Sequence, residues 1–191
     1  MSHAKTGAMT VCVLLAEGFE EIEAVTILDV LRRAELDVTA LGVAGIEVAG
    51  SHGIVVRADA TLAAAAGRRW DLVVLPGGMP GAAHLRDSEP VQALVKEQHA
   101  RGGLLGAICA APIALAAAGV LAGRRVTSFP GFEQQLEGAR YSEECVVVDG
   151  HLVTSRGPGT ALPFALRLVA ELCGASKAAE LGKALLVSAG K

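Results

Sequence analysis

The segment GLLGAICAAP, residues 103–112, constrains the chain more than any other. An apolar run, Leu104 to Ile108, leads into Cys109, then Ala-Ala-Pro and an alanine-rich helical pattern. That order predicts a buried strand, a sharp turn and a helix, with the cysteine at the turn. A sharp strand-to-helix turn lifts a nucleophile out of the end of a sheet. The N-terminus of the following helix favours thiolate over thiol. A cysteine in such a place is either a reactive nucleophile or a small buried hydrophobe. The segment alone leaves both readings open.

The rest of the chain repeats the alternation of strand and helix. Strands are predicted at Val11–Ala16, Val38–Val43, Asp71–Leu75, Leu104–Ile108 and Arg125–Ser128. Ile46–Val48 and Gly53–Arg57 flank Gly50-Ser51-His52 as a small hairpin, and Val146–Asp149 pairs with His151–Thr154 across Asp149-Gly150. Helical spacing of Ile22, Val25, Leu28 and Leu31 predicts a helix over Glu20–Arg33. Further helices are predicted at Ala60–Ala66, Glu89–Arg101 (with Ser88 as its cap), Ala110–Ala118, Thr160–Leu172 and Ala178–Val187. One open, mostly parallel sheet with helices on both faces follows. Residues 10–191 read as a single domain behind a short disordered leader, residues 1–9.

Composition supports this architecture and excludes several functions. Hydrophobic residues make up 52% of the 191 residues but aromatics only 3%, so the core is aliphatic and suits helices packed on a parallel sheet. A net charge of −3 offers no basic nucleic-acid footprint or polybasic membrane patch. No apolar run is long enough to span a bilayer, and no signal peptide is visible. Cys12, Cys109, Cys145 and Cys173 are scattered without a CxxC pair, which argues against a zinc site and a disulfide framework. A reducing cytoplasm is the expected location.

Three predicted strands end in unusual chemistry: one before EGFEEIE (17–23), one in Pro76-Gly77-Gly78, one in Cys109. In a parallel sheet all three ends share one edge, where α/β sites form. The stretches LLAEGFEEIEAVTILDVLRRA, DLVVLPGGMPGAAHLRDS, GLLGAICAAP, VTSFPGFE and LVTSRGPGTALPFAL, in this order, resemble the ThiJ/PfpI superfamily. The similarity is closest to the branch of the Parkinsonism-associated deglycase and bacterial YajL. It covers the chain from about Val11 to Val187. The resemblance implies a flavodoxin-like three-layer sandwich with a cysteine nucleophile elbow.

It also implies roles. Cys109 corresponds to the nucleophilic, oxidation-sensitive cysteine and Glu23 to the acid that contacts it. Gly77 and Gly78 correspond to glycines whose N–H groups face the reacting oxygen, with a further N–H from Ala110. A carboxyl beside a thiolate is pushed toward its protonated form and can shuttle a proton. The residues alone also allow Glu23 to be an exposed acid of a first helical turn, and Gly-Gly to be only a tight turn. Candidate pocket residues are His52, Phe129 and Arg156. Each has a plain alternative: His52 an exposed hairpin residue, Arg156 a surface or loop-orienting residue. His84 is expected in a solvated loop, His99 late in a helix and His151 after a turn. Peptidase relatives carry a histidine directly after the nucleophile; Ala110 stands there, which argues against proteolysis. Phe129 stands where human-like members of the branch carry a histidine, as in YajL-like proteins.

The resemblance therefore implies a cofactor-independent, metal-free glyoxalase or deglycase acting on methylglyoxal, glyoxal or early glycation adducts, in a homodimer. The alternative is an oxidative-stress sensor or redox-regulated chaperone acting through oxidation of Cys109.

Overall fold

The structure is a computed structural model and describes residues 7–187. In chain order the elements are β1 (Thr10–Leu15), α1 (Glu21–Arg33), β2 (Asp37–Gly42), β3 (Glu47–Ala49), β4 (Val55–Arg57), β5 (Ala60–Thr61), β6 (Leu72–Leu75), α2 (Gly81–Asp87), α3 (Glu89–Ala100), β7 (Leu104–Ile108), α4 (Pro112–Ala117), β8 (Arg125–Val126), β9 (Arg140–Tyr141), β10 (Val146–Asp149), β11 (Leu152–Ser155), α5 (Ala161–Cys173) and α6 (Ala175–Ala184).

Seven strands form the central sheet in the order β10-β11-β7-β6-β1-β2-β5. All neighbours are parallel except the β10–β11 hairpin, which pairs antiparallel from Val146↔Ser155 to Asp149↔Leu152. Two helix groups flank it: α1 with α5 and α6, and α2 with α3 and α4. Strands covered on both faces need continuous apolar runs, and they have them. Val11–Leu15 and Leu72–Leu75 have no exposed surface. The chain leaves β1 toward β2 and returns on β1's other side as β6. That reversal falls at β1, and in open parallel sheets sites form at the carboxyl ends of the strands beside such a point. Among the described residues no helix is long and apolar enough to cross a membrane.

Several expectations need correction. Ala60–Ala66 is not one helix: Ala60–Thr61 extends the sheet beside β2, and only Ala63–Ala65 forms a 3-10 turn. Residues 81–87, expected as loop, form α2, so His84 lies on a helix. The elbow helix starts at Pro112, and the closing helix at Ala175. Ser88 occupies the cap position of α3 without a side-chain hydrogen bond. Most instructive is α1. Its buried side chains are Glu21, Glu23, Ala24, Ile27, Leu28, Val30 and Leu31, while Ile22 and Val25 are exposed. The apolar period mis-set the inward face because two glutamates have partners inside. Of the expected leader, Met1–Thr6 lie outside the described residues. Met9 packs against the core, and its carbonyl accepts from Asp37 N–H.

Candidate active site

The elbow after β7 places Cys109 at φ +63°, a left-handed conformation that costs a non-glycine residue about 1–3 kcal/mol. Neighbouring strands hold it there. Cys109 N–H donates to Ser155 O at the end of β11 (3.0 Å), and Phe129 N–H donates to Cys109 O (2.9 Å). Ser155 is itself fixed, its hydroxyl bonded to Cys145 O and Thr160 Oγ1, both at 2.7 Å. Cys109 is nearly buried, with 8% of its surface exposed.

Glu23 reaches the elbow from the first turn of α1. Glu20 caps that helix, its carboxylate accepting Glu23 N–H at 2.7 Å. The Glu23 side chain is fully buried. Its Oε2 accepts Gly77 N–H at 2.7 Å, while Oε1 has no conventional hydrogen-bond partner, and the carboxyl faces the Cys109 thiol. Gly77 is needed for this approach. A Cβ there would lie 2.5 Å from Cys109 Cβ and 2.9 Å from Glu23 Oε2. Gly78 adopts φ +89°, and a Cβ there would collide with the backbone of Phe19 and Glu20.

The structure assigns a partner to one of the expected donors. The Gly78 and Ala110 N–H groups lie close enough to the Cys109 sulfur to favour its charged form. The Gly77 N–H is instead taken by Glu23. Gly77 thus orients the Glu23 carboxyl, leaving the Gly78 and Ala110 N–H groups on the side of the Cys109 sulfur.

Burial pushes the Glu23 carboxyl up to about 7, against the Gly77 N–H and the thiol, which pull it down. Burial and then the Glu23 charge push the Cys109 thiol up to about 12, opposed by the Gly78 and Ala110 N–H groups. The helix N-terminus does not by itself make a thiolate here, as the elbow motif led us to expect; loss of solvent outweighs it. Between those two values the pair holds one proton, whose position belongs to the pair. Moving that proton from the sulfur to Glu23 gives a thiolate facing two backbone donors and a carboxylic acid.

The other candidate residues surround this centre at different removes. Phe129 is bound to Cys109 through its backbone, its ring half-exposed against Gly157. Arg156 follows Ser155, and its Nη1 donates to Glu143 O at 3.1 Å, so it ties down a loop. His52 sits on the β3–β4 hairpin and pairs with Glu21 rather than Glu23, its Nδ1 lying 2.9 Å from Glu21 Oε2. Glu21 was not singled out from the sequence. It also accepts His52 N–H at 2.6 Å and the Ser51 hydroxyl at 3.3 Å, and so docks the hairpin beside the site. The one available signal was the acidic run after β1, which does not say which carboxylates turn inward.

Comparison with known proteins agrees with this geometry. The DJ-1/PfpI family pattern matches residues 9–171. The chain is 46% identical over 180 residues to protein dj-1beta of Drosophila melanogaster, covering 92% of this chain and 96% of that one. It is 36% identical over 173 residues to the glutathione-independent glyoxalase DJR-1.2 of Caenorhabditis elegans, covering 90% and 92%. The crystal structure of Drosophila melanogaster DJ-1beta superposes with a TM-score of 0.93, covering 95% of this chain and all of that one at 43% identity. That of oxidized Toxoplasma gondii DJ-1 gives 0.91 at 39% identity, covering 94% and 98%. The flavodoxin-like fold, the strand-end site and these similarities together make the chain a member of the DJ-1/PfpI family.

Proposed function

We propose that this protein is a cofactor-independent glyoxalase in which Cys109 is the nucleophile and Glu23 the proton shuttle. One observation carries the reading: a fully buried carboxyl, raised to about 7, faces a cysteine strained into the open end of the sheet. An acid poised near neutrality both gives and takes a proton efficiently. The glyoxalase name of the nematode relative supports the same chemistry.

The Glu23 carboxylate takes the Cys109 proton as the sulfur adds to the aldehyde carbon of methylglyoxal, forming a C–S bond and an oxyanion beside Gly78 and Ala110 N–H. Glu23 protonates that oxygen to give a hemithioacetal. As carboxylate it then removes the proton from the former aldehyde carbon, leaving an enediolate. Returning the proton to the adjacent carbon yields a lactoyl thioester on Cys109. Water hydrolyses it to lactate and restores the thiol, so the net change is methylglyoxal plus water to lactate. Glyoxal gives glycolate by the same steps, and an early glycation adduct enters when its amine or thiol leaves with a proton from Glu23 and the Cys109 sulfur bonds to the carbon it has left. The titratable group facing the thiol is a carboxyl, which does not favour a peptidase. The exposed Ile22 and Val25 on α1, with Ile54 and Val55 on the hairpin it braces, support a homodimer through that surface. The free cysteines suit a reducing cytoplasm.

The test is lactate formation from methylglyoxal by purified protein without glutathione or added metal. Wild type turns over many times. Cys109→Ser abolishes turnover, and Glu23→Gln lowers it by about 10²–10⁴-fold. A single stoichiometric reaction, or full activity in Glu23→Gln, rejects the mechanism.

A second reading rests on the two N–H donors at the sulfur. Peroxide would oxidise the Cys109 thiolate to sulfenic acid, releasing hydroxide, and a second equivalent would give a sulfinate held by those donors and by protonated Glu23. Selective oxidation of Cys109 without dicarbonyl turnover favours this sensor role.

A further inference from the structure

A second pair of ligating side chains lies at the other end of the sheet from Cys109. His151 sits between the Gly150 turn and β11, and its carbonyl accepts Leu105 N–H at 2.9 Å. The far end of β11, Ser155, holds the elbow, so the strand's full length separates His151 from the candidate active site. His99 is in the last turn of α3, its carbonyl accepting Gly102 N–H at 2.9 Å. Both backbones are therefore fixed. Both side chains are half-buried, with solvent on one side.

The two imidazoles meet nitrogen to nitrogen, His151 Nε2 to His99 Nδ1 at 2.9 Å, with ring centroids 4.7 Å apart. Without a metal, one ring N–H donates to the other's lone pair. Each ring has a second nitrogen able to carry its proton, so both facing nitrogens can be unprotonated together. Two lone pairs so close repel unless a cation takes them. Imidazole nitrogens bound at ~2.05 Å and at right angles to each other lie about 2.9 Å apart, whereas a tetrahedral angle opens them to about 3.3 Å. The observed 2.9 Å is the length of the hydrogen bond that joins the rings, and it coincides with the right-angled spacing, so an ion of that geometry could replace the shared proton without moving the two nitrogens apart. That geometry, with nitrogen and oxygen ligands, is characteristic of Ni²⁺ and Cu²⁺. The charged groups near His151 are Arg124 and Asp149. Asp149 is already committed to Arg125 N–H and Arg124, so water fills the remaining positions.

We infer that His99 and His151 form a two-imidazole site for a tetragonal divalent transition ion of the Ni²⁺ or Cu²⁺ class, which clasps the β10–β11 hairpin to the end of α3. An ion bound to the folded chain alone raises its thermal midpoint.

Calorimetric titration of the reduced full chain with NiCl₂ tests this, in a His3→Ala background so that the N-terminal histidine contributes nothing. A second background substitution, His52→Gln, removes the other histidine that approaches carboxylates, at Glu20 and Glu21. One Ni²⁺ per chain is expected, with a raised melting midpoint. His99→Gln and His151→Gln should each abolish both effects. In parallel, imidazole resonances of His99 and His151 in the wild-type chain should broaden together on addition of NiCl₂, a readout independent of whether the variants fold well. Ni²⁺ binding unchanged in both variants, no binding at millimolar Ni²⁺, or His99 and His151 resonances unaffected by Ni²⁺ would each overturn the site. Dicarbonyl turnover plays no part in any of these readouts.

Discussion

Glu21 and Glu23 stand in the same helical turn, and both are buried, yet their surroundings drive them in opposite directions. At Glu21, burial pushes the pKa up, but hydrogen bonds from the His52 side chain, His52 N–H and Ile54 N–H outweigh it and bring the carboxyl down to about 2. At Glu23, one N–H from Gly77 does not offset burial, and the carboxyl rises to about 7. Depth of burial and the donors aimed at a carboxylate together set its charge: Glu23 lies deeper with one backbone donor, Glu21 lies nearer solvent with several. The hairpin side of the turn is a fixed anion that holds structure together. The elbow side is a group left short of partners beside a thiol, as a proton shuttle requires.

The strongest way to break the contrast is to fill the space on the elbow side. Gly77→Ala places a Cβ 2.5 Å from Cys109 Cβ and 2.8 Å from Ile108 O, so denaturant unfolding should show a loss of more than about 3 kcal/mol. Wild-type-like stability would mean that the acid and elbow are not tightly apposed.

Glu23→Gln should come next, with the opposite sign. A raised folded pKa means the native state keeps a proton the unfolded chain has lost. Wild-type stability therefore falls as pH rises from about 4.5 to about 7, then levels. The variant escapes that cost and should be about 2–3 kcal/mol more stable at pH 8 but equal to wild type near pH 4, even as turnover collapses. Equal stability at both pH values would remove the claim that Glu23 is a strained acid.

Glu21→Gln should lose about 1–2 kcal/mol at pH 7, because donors that converge on a carboxylate are left poorly satisfied. The folded pKa is depressed, so the contribution is present above about 4.5 and disappears as pH falls toward about 2. Acid unfolding followed by circular dichroism should show the two proteins converging there. His52→Gln is the finest probe and the smallest effect, since its side chain is exposed and its backbone N–H still serves Glu21. The His52 pKa is raised by Glu21, so its contribution is complete below about 6.5 and fades as pH rises through the folded value. Its melting midpoint should match wild type at pH 9 and fall below it at pH 5.5.

The fold was largely legible because parallel strands covered on both faces leave long apolar runs such as Val11–Leu15 and Leu104–Ile108. The elbow was legible for the same reason: an apolar run that stops at one cysteine before Ala-Ala-Pro has few other conformations. Periodicity misjudged α1, where Ile22 and Val25 fitted the stripe but face out while Glu21 and Glu23 face in. A hydrophobic pattern assumes that charges seek water. It cannot foresee backbone donors brought by Gly77, His52 and Ile54 from distant parts of the chain. The His99–His151 pair escaped for a related reason, since 52 positions separate two residues that only sheet register brings together.

By itself the sequence determined the strand order's raw material, the aliphatic core and the position of a cysteine at the mouth of the sheet. Those properties follow from local pattern and from the near-absence of alternatives for long apolar runs. Tertiary structure decided the rest: that Gly77 N–H serves Glu23 rather than a substrate oxygen, that the thiol is raised by burial, and that adjacent carboxylates carry opposite tendencies. Charge state and donor direction depend on which distant groups exclude water and which point inward, and these are settled only when the strands and helices have packed.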